Sequence, residues 1–178
     1  GDECSKMWWA ADPDANEFIK SHGLKNDSAL QMYLMETVIN NLKQKNKKVI
    51  GWDEILDGGL APNAAVMSWR GMTGGIEAAK QGHEVVMSPT TFVYLDYMQG
   101  DAVIEPPVYA TLRLSKTYQF EPIPDGVDPK FIKGGQGNMW SEQLYTVRHL
   151  QYMLWPRAFA VAEALWSPKD KRDWNNFV

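Results

Sequence analysis

The chain has 178 residues, 44% hydrophobic and 22% charged, enough apolar content for a folded core and for one domain or part of one, and too much for a disordered chain. Its 18 Lys and Arg against 22 Asp and Glu leave a mild net charge of −4, with neither the basic stripe of a nucleic-acid binder nor an acidic tail. Its single cysteine, Cys4, excludes an internal disulfide and a cysteine-rich zinc site, and its longest apolar runs, five residues at 7–11 and 158–162, exclude a transmembrane helix, which needs roughly 18.

Residues 4–24 read as irregular, with a short helix near 14–21. Asn26-Asp27-Ser28 offers an N-cap, and from 29 to about 44 Leu30, Leu34, Val38 and Leu42 recur every fourth residue. Tyr33, Met35 and Ile39 widen that stripe into an amphipathic helix, and Lys43, Lys45, Lys47 and Lys48 suit its negative C-terminal end. Val49-Ile50-Gly51-Trp52 predicts a short buried strand, followed by the polar pair Asp53-Glu54. Residues 64–69 predict a second strand, 74–81 a helix stopped by Gly82, and 84–88 a third strand. Residues 92–96 read as its continuation or as a separate short segment. A proline-rich connection spans 98–133, with one helical turn at 111–116. The segment 134–140 predicts the last strand, and 146–166 a long helix interrupted or kinked at Pro156. No repeat or linker divides the chain, so 1–178 is read as one domain.

Short buried strands alternating with helices predict an α/β fold with a parallel sheet. In a (β/α)₈ barrel the chemistry sits at the C-terminal strand ends. Four successive strand ends here pair an aromatic with a charge: Trp52-Asp53-Glu54, Trp69-Arg70, Tyr94-Leu95-Asp96 and Trp140-Ser141-Glu142. Charges at buried strand ends need partners, so packing alone does not account for four of them. Eight tryptophans supply broad apolar faces, each with one N–H donor. Such faces suit either a core or a sugar site. His22, His83 and His149 show no metal-ligand spacing, and Cys4, without a supporting histidine arrangement, reads as small and buried.

These motifs, in this order, resemble the family 20 glycoside hydrolases, the β-N-acetylhexosaminidases. Gly1-Asp2-Glu3 resembles the family's motif at the end of the fourth barrel strand. Gly51-Trp52-Asp53-Glu54, Met67-Ser68-Trp69-Arg70-Gly71, Tyr94-Leu95-Asp96-Tyr97 and the stretch from Gly135 to Glu142 resemble the ends of strands five to eight. Pro156-Arg157-Ala158 through Trp166 resembles the following helix. The resemblance implies the C-terminal half of a catalytic (β/α)₈ TIM barrel, strands five to eight with their helices, in a fragment or processed chain. The family's first-strand arginine lies outside such a half. Two open sheet edges imply self-association or pairing with an N-terminal half.

The resemblance also implies an exo-acting enzyme that removes terminal β-linked N-acetylglucosamine or N-acetylgalactosamine with retention, through an oxazolinium intermediate formed by the substrate's own acetamido group. Glu3 is then the general acid and base, enclosed by apolar neighbours. Asp2 accepts the acetamido N–H, and Tyr94 donates to the acetamido oxygen. Trp52 and Trp69 enclose the acetamido methyl group and Trp140 stacks under the ring, where the alternative for all three is core packing. Asp96 and Glu142 accept from the sugar's O4 and O6 hydroxyls, where the alternative is a salt bridge with Arg70 or Arg157. Asp53 and Glu54 support the site from behind. Trp155, Trp166 and Trp174 read as core, and Trp8 and Trp9 as a second-sugar contact or a hydrophobic plug. The resemblance implies no cofactor and an extracytoplasmic setting: periplasmic, secreted or lysosomal. The rival readings are a carbohydrate-binding module, which has no need of Asp2-Glu3, an inert half-barrel, and release of a disaccharide such as lacto-N-biose.

Overall fold

The computed structural model describes residue 3 and residues 5–178. The expectations for Asp2 and Cys4 lie outside the described residues.

Two short helices come first, α1 (Met7–Ala11) and α2 (Pro13–Ser21). Asp12 caps the second by accepting from the Asp14 N–H at 2.9 Å, with Pro13 at a position where its missing donor costs nothing. Helix α3 (Asp27–Gln44) starts where the Asn26 side chain accepts from the Ala29 N–H at 3.0 Å. Its predicted stripe is only partly covered: Leu30 is buried, but Leu34 is 51% and Val38 47% exposed. The first turns dock through Ser28 and Met32 against Gly58, whereas Glu36, Ile39, Asn40 and Lys43 of the later turns line an open hollow with Val49 and residues 61–64.

The sheet has four parallel strands, β1 (Ile50–Trp52), β2 (Ala65–Ser68), β3 (Val85–Met87) and β4 (Ile132–Gly135), in the spatial order β1-β2-β3-β4. Helix α4 (Thr73–Lys80) connects β2 to β3, while α5 (Thr90–Val93) and α6 (Leu114–Tyr118) lie between β3 and β4. Helices α7 (Val147–Leu154), α8 (Arg157–Trp166) and α9 (Trp174–Phe177) follow. Val66 stands opposite Val85 in register, and both belong to a core completed by Met87, Phe120, Val161 and Ala164. Gly135 admits that packing, since a Cβ there would stand 2.8 Å from Phe120 and Leu165.

Three predicted elements move. Residues 92–96 are not a strand: Thr90–Val93 is helical, and the chain rejoins the sheet through a parallel bridge between Tyr94 and Asn138. The last strand is Ile132–Gly135, not 134–140, because apolar Phe131 and Ile132 lead it in and the glycines end it, with a register shift opposite Val85 and Val86. The predicted turn at 111–116 forms at Leu114–Tyr118, where Thr117 and Tyr118 are buried. The long C-terminal helix divides at Pro156, which has no N–H to continue the ladder. Trp166 is 91% exposed and Trp155 is also exposed, so neither is core, whereas Trp174 is half-buried against Tyr118.

Candidate active site

The ends of the four strands converge on one hollow of about 310 Å³. Seven of the eight residues predicted for the site line it: Glu3, Trp52, Trp69, Tyr94, Asp96, Trp140 and Glu142. Tyr97 and Tyr109 complete the wall and were not singled out from the sequence. Tyr97 sat inside a quoted motif, but Tyr109 lies in the proline-rich connection, which carried no local signal for a site. Trp8 and Trp9 do not line this hollow, and Trp8 is exposed.

Trp52 ends β1 and opens the 3₁₀ turn Asp53–Leu56. That turn aims two carboxylates at the end of β2. Asp53 is buried, and its Oδ2 accepts from the backbone N–H groups of Trp69 and Arg70 at 3.0 and 3.1 Å. Its Oδ1 accepts from Arg70 Nε at 2.5 Å, and the Arg70 guanidinium continues to both oxygens of Asp57 at 3.2 and 3.0 Å. The Asp57 hydrogen bond, helped by Asp53 and opposed by burial, raises the Arg70 guanidinium above its ordinary value. Glu54 accepts from the Trp69 indole. Asp53 and Glu54 thus stand behind the wall and do not line the hollow.

A polar rung joins the ends of β3 and β4. Asn138 Nδ2 donates to Ser88 Oγ at 2.8 Å, Ser88 Oγ donates to the Gln136 carbonyl at 3.0 Å, and Gln136 Nε2 donates to Asn138 Oδ1 at 2.7 Å. The Leu95 N–H donates to the Asn138 carbonyl at 2.7 Å. This fixes Tyr94 and Asp96 on the turn after α5. Burial pushes the Tyr94 phenol up to about 12, so it is a neutral donor at neutral pH.

Asp96 is 3% exposed, and its Oδ1 has no hydrogen-bond partner. Burial pushes its carboxyl up to about 6 and the like charge of Glu142 adds to this, while hydrogen bonds from its own backbone N–H and that of Trp140, and the charge of Arg157, oppose it. The salt-bridge alternative does not form: Arg70 is engaged by Asp53 and Asp57, and Arg157 donates only to backbone carbonyls. Asp96 lines the hollow, and a buried acceptor without a partner calls for one.

Trp140 is 41% exposed, with its ring 5.9 Å from Trp52 and 6.4 Å from Tyr94, so core packing does not describe it. Glu3 stands exposed at the rim with φ of +44°, in the left-handed region that non-glycine residues occupy at a cost. It is not enclosed by the tryptophans as expected. Among the described residues no three His, Cys, Asp or Glu side chains could hold a metal ion, and no helix is long and apolar enough to cross a membrane.

The description of the catalytic domain of glycosyl hydrolase family 20 matches residues 1–169. The chain is 41% identical to a beta-hexosaminidase of Porphyromonas gingivalis, over 99% of this chain and 23% of that protein. It is 30% identical to a beta-hexosaminidase of Vibrio furnissii, over 90% of this chain and 28% of that one. Its fold superposes on an exo beta-N-acetylglucosaminidase of Vibrio harveyi, solved with N-acetylglucosamine, with a TM-score of 0.84 and 31% identity over 95% of this chain and 28% of that one. The chain belongs to glycosyl hydrolase family 20. Its sheet is the C-terminal half of the family's (β/α)₈ catalytic barrel, and it spans about a quarter of the length of these relatives.

Proposed function

We propose that this chain carries most of the sugar site of an exo-acting β-N-acetylhexosaminidase, which hydrolyses terminal β-linked N-acetylglucosamine or N-acetylgalactosamine with retention. The observation that carries the reading is the hollow itself: three indoles, three phenols and the buried carboxyl of Asp96, one oxygen of which has no partner, with Glu3 at the rim. At about 310 Å³ it sits at the lower end of small-molecule sites, sized for one sugar residue.

Family 20 is an exception to the two-carboxylate scheme of most retaining glycosidases. Glu3 protonates the glycosidic oxygen as the C1–O bond breaks, and the acetamido oxygen bonds to C1 to give an oxazolinium ion. Tyr94 donates to that oxygen and aims it at C1. Glu3 then takes a proton from water as the water oxygen bonds to C1 and the acetamido oxygen leaves. Asp96 and Glu142 accept from sugar hydroxyls, and a site that pairs hydroxyls rejects analogues lacking them. The edge strands β1 and β4, with Ile50 exposed on the first, suit completion of the barrel by a second copy or an N-terminal half.

The mechanism is tested by proton NMR of hydrolysis of 4-nitrophenyl N-acetyl-β-glucosaminide and its N-trifluoroacetyl analogue. The β-anomer should form first, and the trifluoroacetyl compound, with a poorer nucleophilic oxygen, should react far more slowly. An α-anomer first, or equal rates, refutes it.

Two further outcomes follow from the wall. Trp140→Ala should weaken binding of N-acetylglucosamine about three- to tenfold, the scale of a lost aromatic contact. Because the ring is 41% exposed, the thermal midpoint should move little. A lower midpoint with unchanged affinity would return Trp140 to the core.

Asp96, ionising near 6, accepts from hydroxyls above that pH and loses acceptor capacity below it. Affinity for N-acetylglucosamine should therefore fall as pH drops through about 6, and Asp96→Asn should flatten the profile. Stability runs the other way. The folded chain holds this proton more tightly than the unfolded chain, whose carboxyl stays near 3.8, so the contribution of Asp96 to stability is lost as pH rises from 3.8 to about 6. A titration of affinity and of urea midpoint across that window, showing no difference between wild type and the Asn variant, contradicts this role.

A further inference from the structure

The Trp69 indole has one polar atom, and that atom points away from the hollow. Its Nε1–H donates to both oxygens of Glu54, each at 2.9 Å. The backbone N–H of the same residue donates to Asp53 Oδ2 at 3.0 Å. Two consecutive acidic residues on the turn after β1 therefore grip Trp69 at its backbone and at its ring. Glu54 does this from behind, since it does not line the hollow that Trp69 lines. So held, the indole lies within 25° of the Tyr94 ring plane, with centroids 6.3 Å apart.

A ring on a strand-end loop otherwise has two torsions to choose from, and a half-buried indole N–H seeks an acceptor. Without Glu54, the acceptors in reach include a ligand's own oxygens. With Glu54 the N–H is occupied, and Trp69 presents only carbon atoms to the cavity. A wall of that kind accommodates a methyl group and offers nothing to a hydroxyl.

We infer that Glu54 is a positioning residue which, by holding the Trp69 N–H, fixes the orientation of that indole and makes this wall select an apolar acyl group. The inference rests on the proposed function for its ligand, but the Glu54–Trp69 contact is independent of it.

The test uses the 178-residue chain labelled with ¹⁵N-tryptophan, in wild type, Glu54→Gln and Glu54→Leu, with Trp69→Phe to assign the resonance. The probe ligand is the thiazoline mimic of N-acetylglucosamine. In Glu54→Leu the Trp69 indole resonance should move upfield and exchange faster with solvent. Affinity for the thiazoline should fall about tenfold, the scale of a hydrogen bond to a charged group. Glu54→Gln keeps one acceptor oxygen and should stay within about threefold of wild type. An unmoved Trp69 resonance in Glu54→Leu overturns the inference, as do equal losses of affinity in the Gln and Leu variants. If Glu54→Leu does not fold, the Gln variant decides alone, because its indole resonance must shift while its affinity is largely kept. If wild type does not bind the thiazoline, the proposed function fails, and the indole resonances still decide whether Glu54 holds Trp69.

Discussion

Glu3→Gln is expected to cut turnover of an N-acetyl-β-glucosaminide with a sugar leaving group by about 10²–10⁴-fold, the range that a positioned proton donor contributes. Glutamine keeps the size and polarity of the side chain and removes its proton. The loss in kcat/KM, which reports the glycosidic-bond step and not the later attack of water that Glu3 also assists, should therefore track the leaving group: large for chitobiose, whose departing alkoxide needs protonation, and small for a 2,4-dinitrophenyl substrate, whose departing anion does not. Binding should change little, because the proposed function places the ring against the indoles, Asp96 and Glu142, which line the same hollow. Rates measured across leaving groups of different basicity check this. A uniform loss across the series would mean that Glu3 positions the sugar and transfers no proton.

Arg157→Met is expected to remove about 3 kcal/mol or more of folding stability, since each buried polar group left without its partner costs about 1–3 kcal/mol. Arg157 begins α8 and is fully buried. Its side chain donates five hydrogen bonds, all to main-chain oxygens: Leu95 at 2.6 Å, Tyr97 at 2.8 Å, Leu112 at 3.0 Å and Met153 at 3.2 and 2.6 Å. Burial pulls its guanidinium down to about 10, against the pull of Glu105 and Asp96, which leaves it charged at neutral pH. Two of those carbonyls flank Asp96. The same side chain therefore ties the last helices to the turn that carries Tyr94 and Asp96. Methionine fills much of the volume and supplies no donor. Lysine restores a charge but not a fork reaching four carbonyls, and should recover only part of the loss. Urea unfolding of the three proteins measures the effect. A Met variant within about 1 kcal/mol of wild type would place Arg157 among the buried charges whose hydrogen bonds only offset their desolvation.

The site was legible because its residues come as local signals. An aromatic and a charge at or shortly after the end of each short strand can be read without any three-dimensional knowledge, and parallel order brings those segments to one place, although β1 is not the buried strand expected, since Ile50 is exposed. Helix ends were legible for the same reason: Asn26 caps the start of α3 and Gly82 follows the end of α4. What failed depended on distant partners. Leu34 and Val38 have the right spacing for a buried stripe, but spacing does not say whether a neighbour exists to cover them, and here they are exposed. Trp166 has the same difficulty. Residues 92–96 read as a continuation of the third strand or a separate short segment from their apolar residues, but Thr90–Val93 folds as a helical turn and the chain then changes direction to bring Tyr94 opposite Asn138. Tyr109 sits among prolines with no periodicity, so only the fold brings it to the wall.

The most direct test of the account is nitrophenol release by the purified 178-residue chain from two substrates, 4-nitrophenyl N-acetyl-β-glucosaminide and 4-nitrophenyl β-glucoside, which differ only at C2. The account predicts release from the first and none from the second, because in the proposed mechanism the acetamido group is the nucleophile and the indole wall receives its methyl. Equal release from both, or faster release from the glucoside, would contradict it.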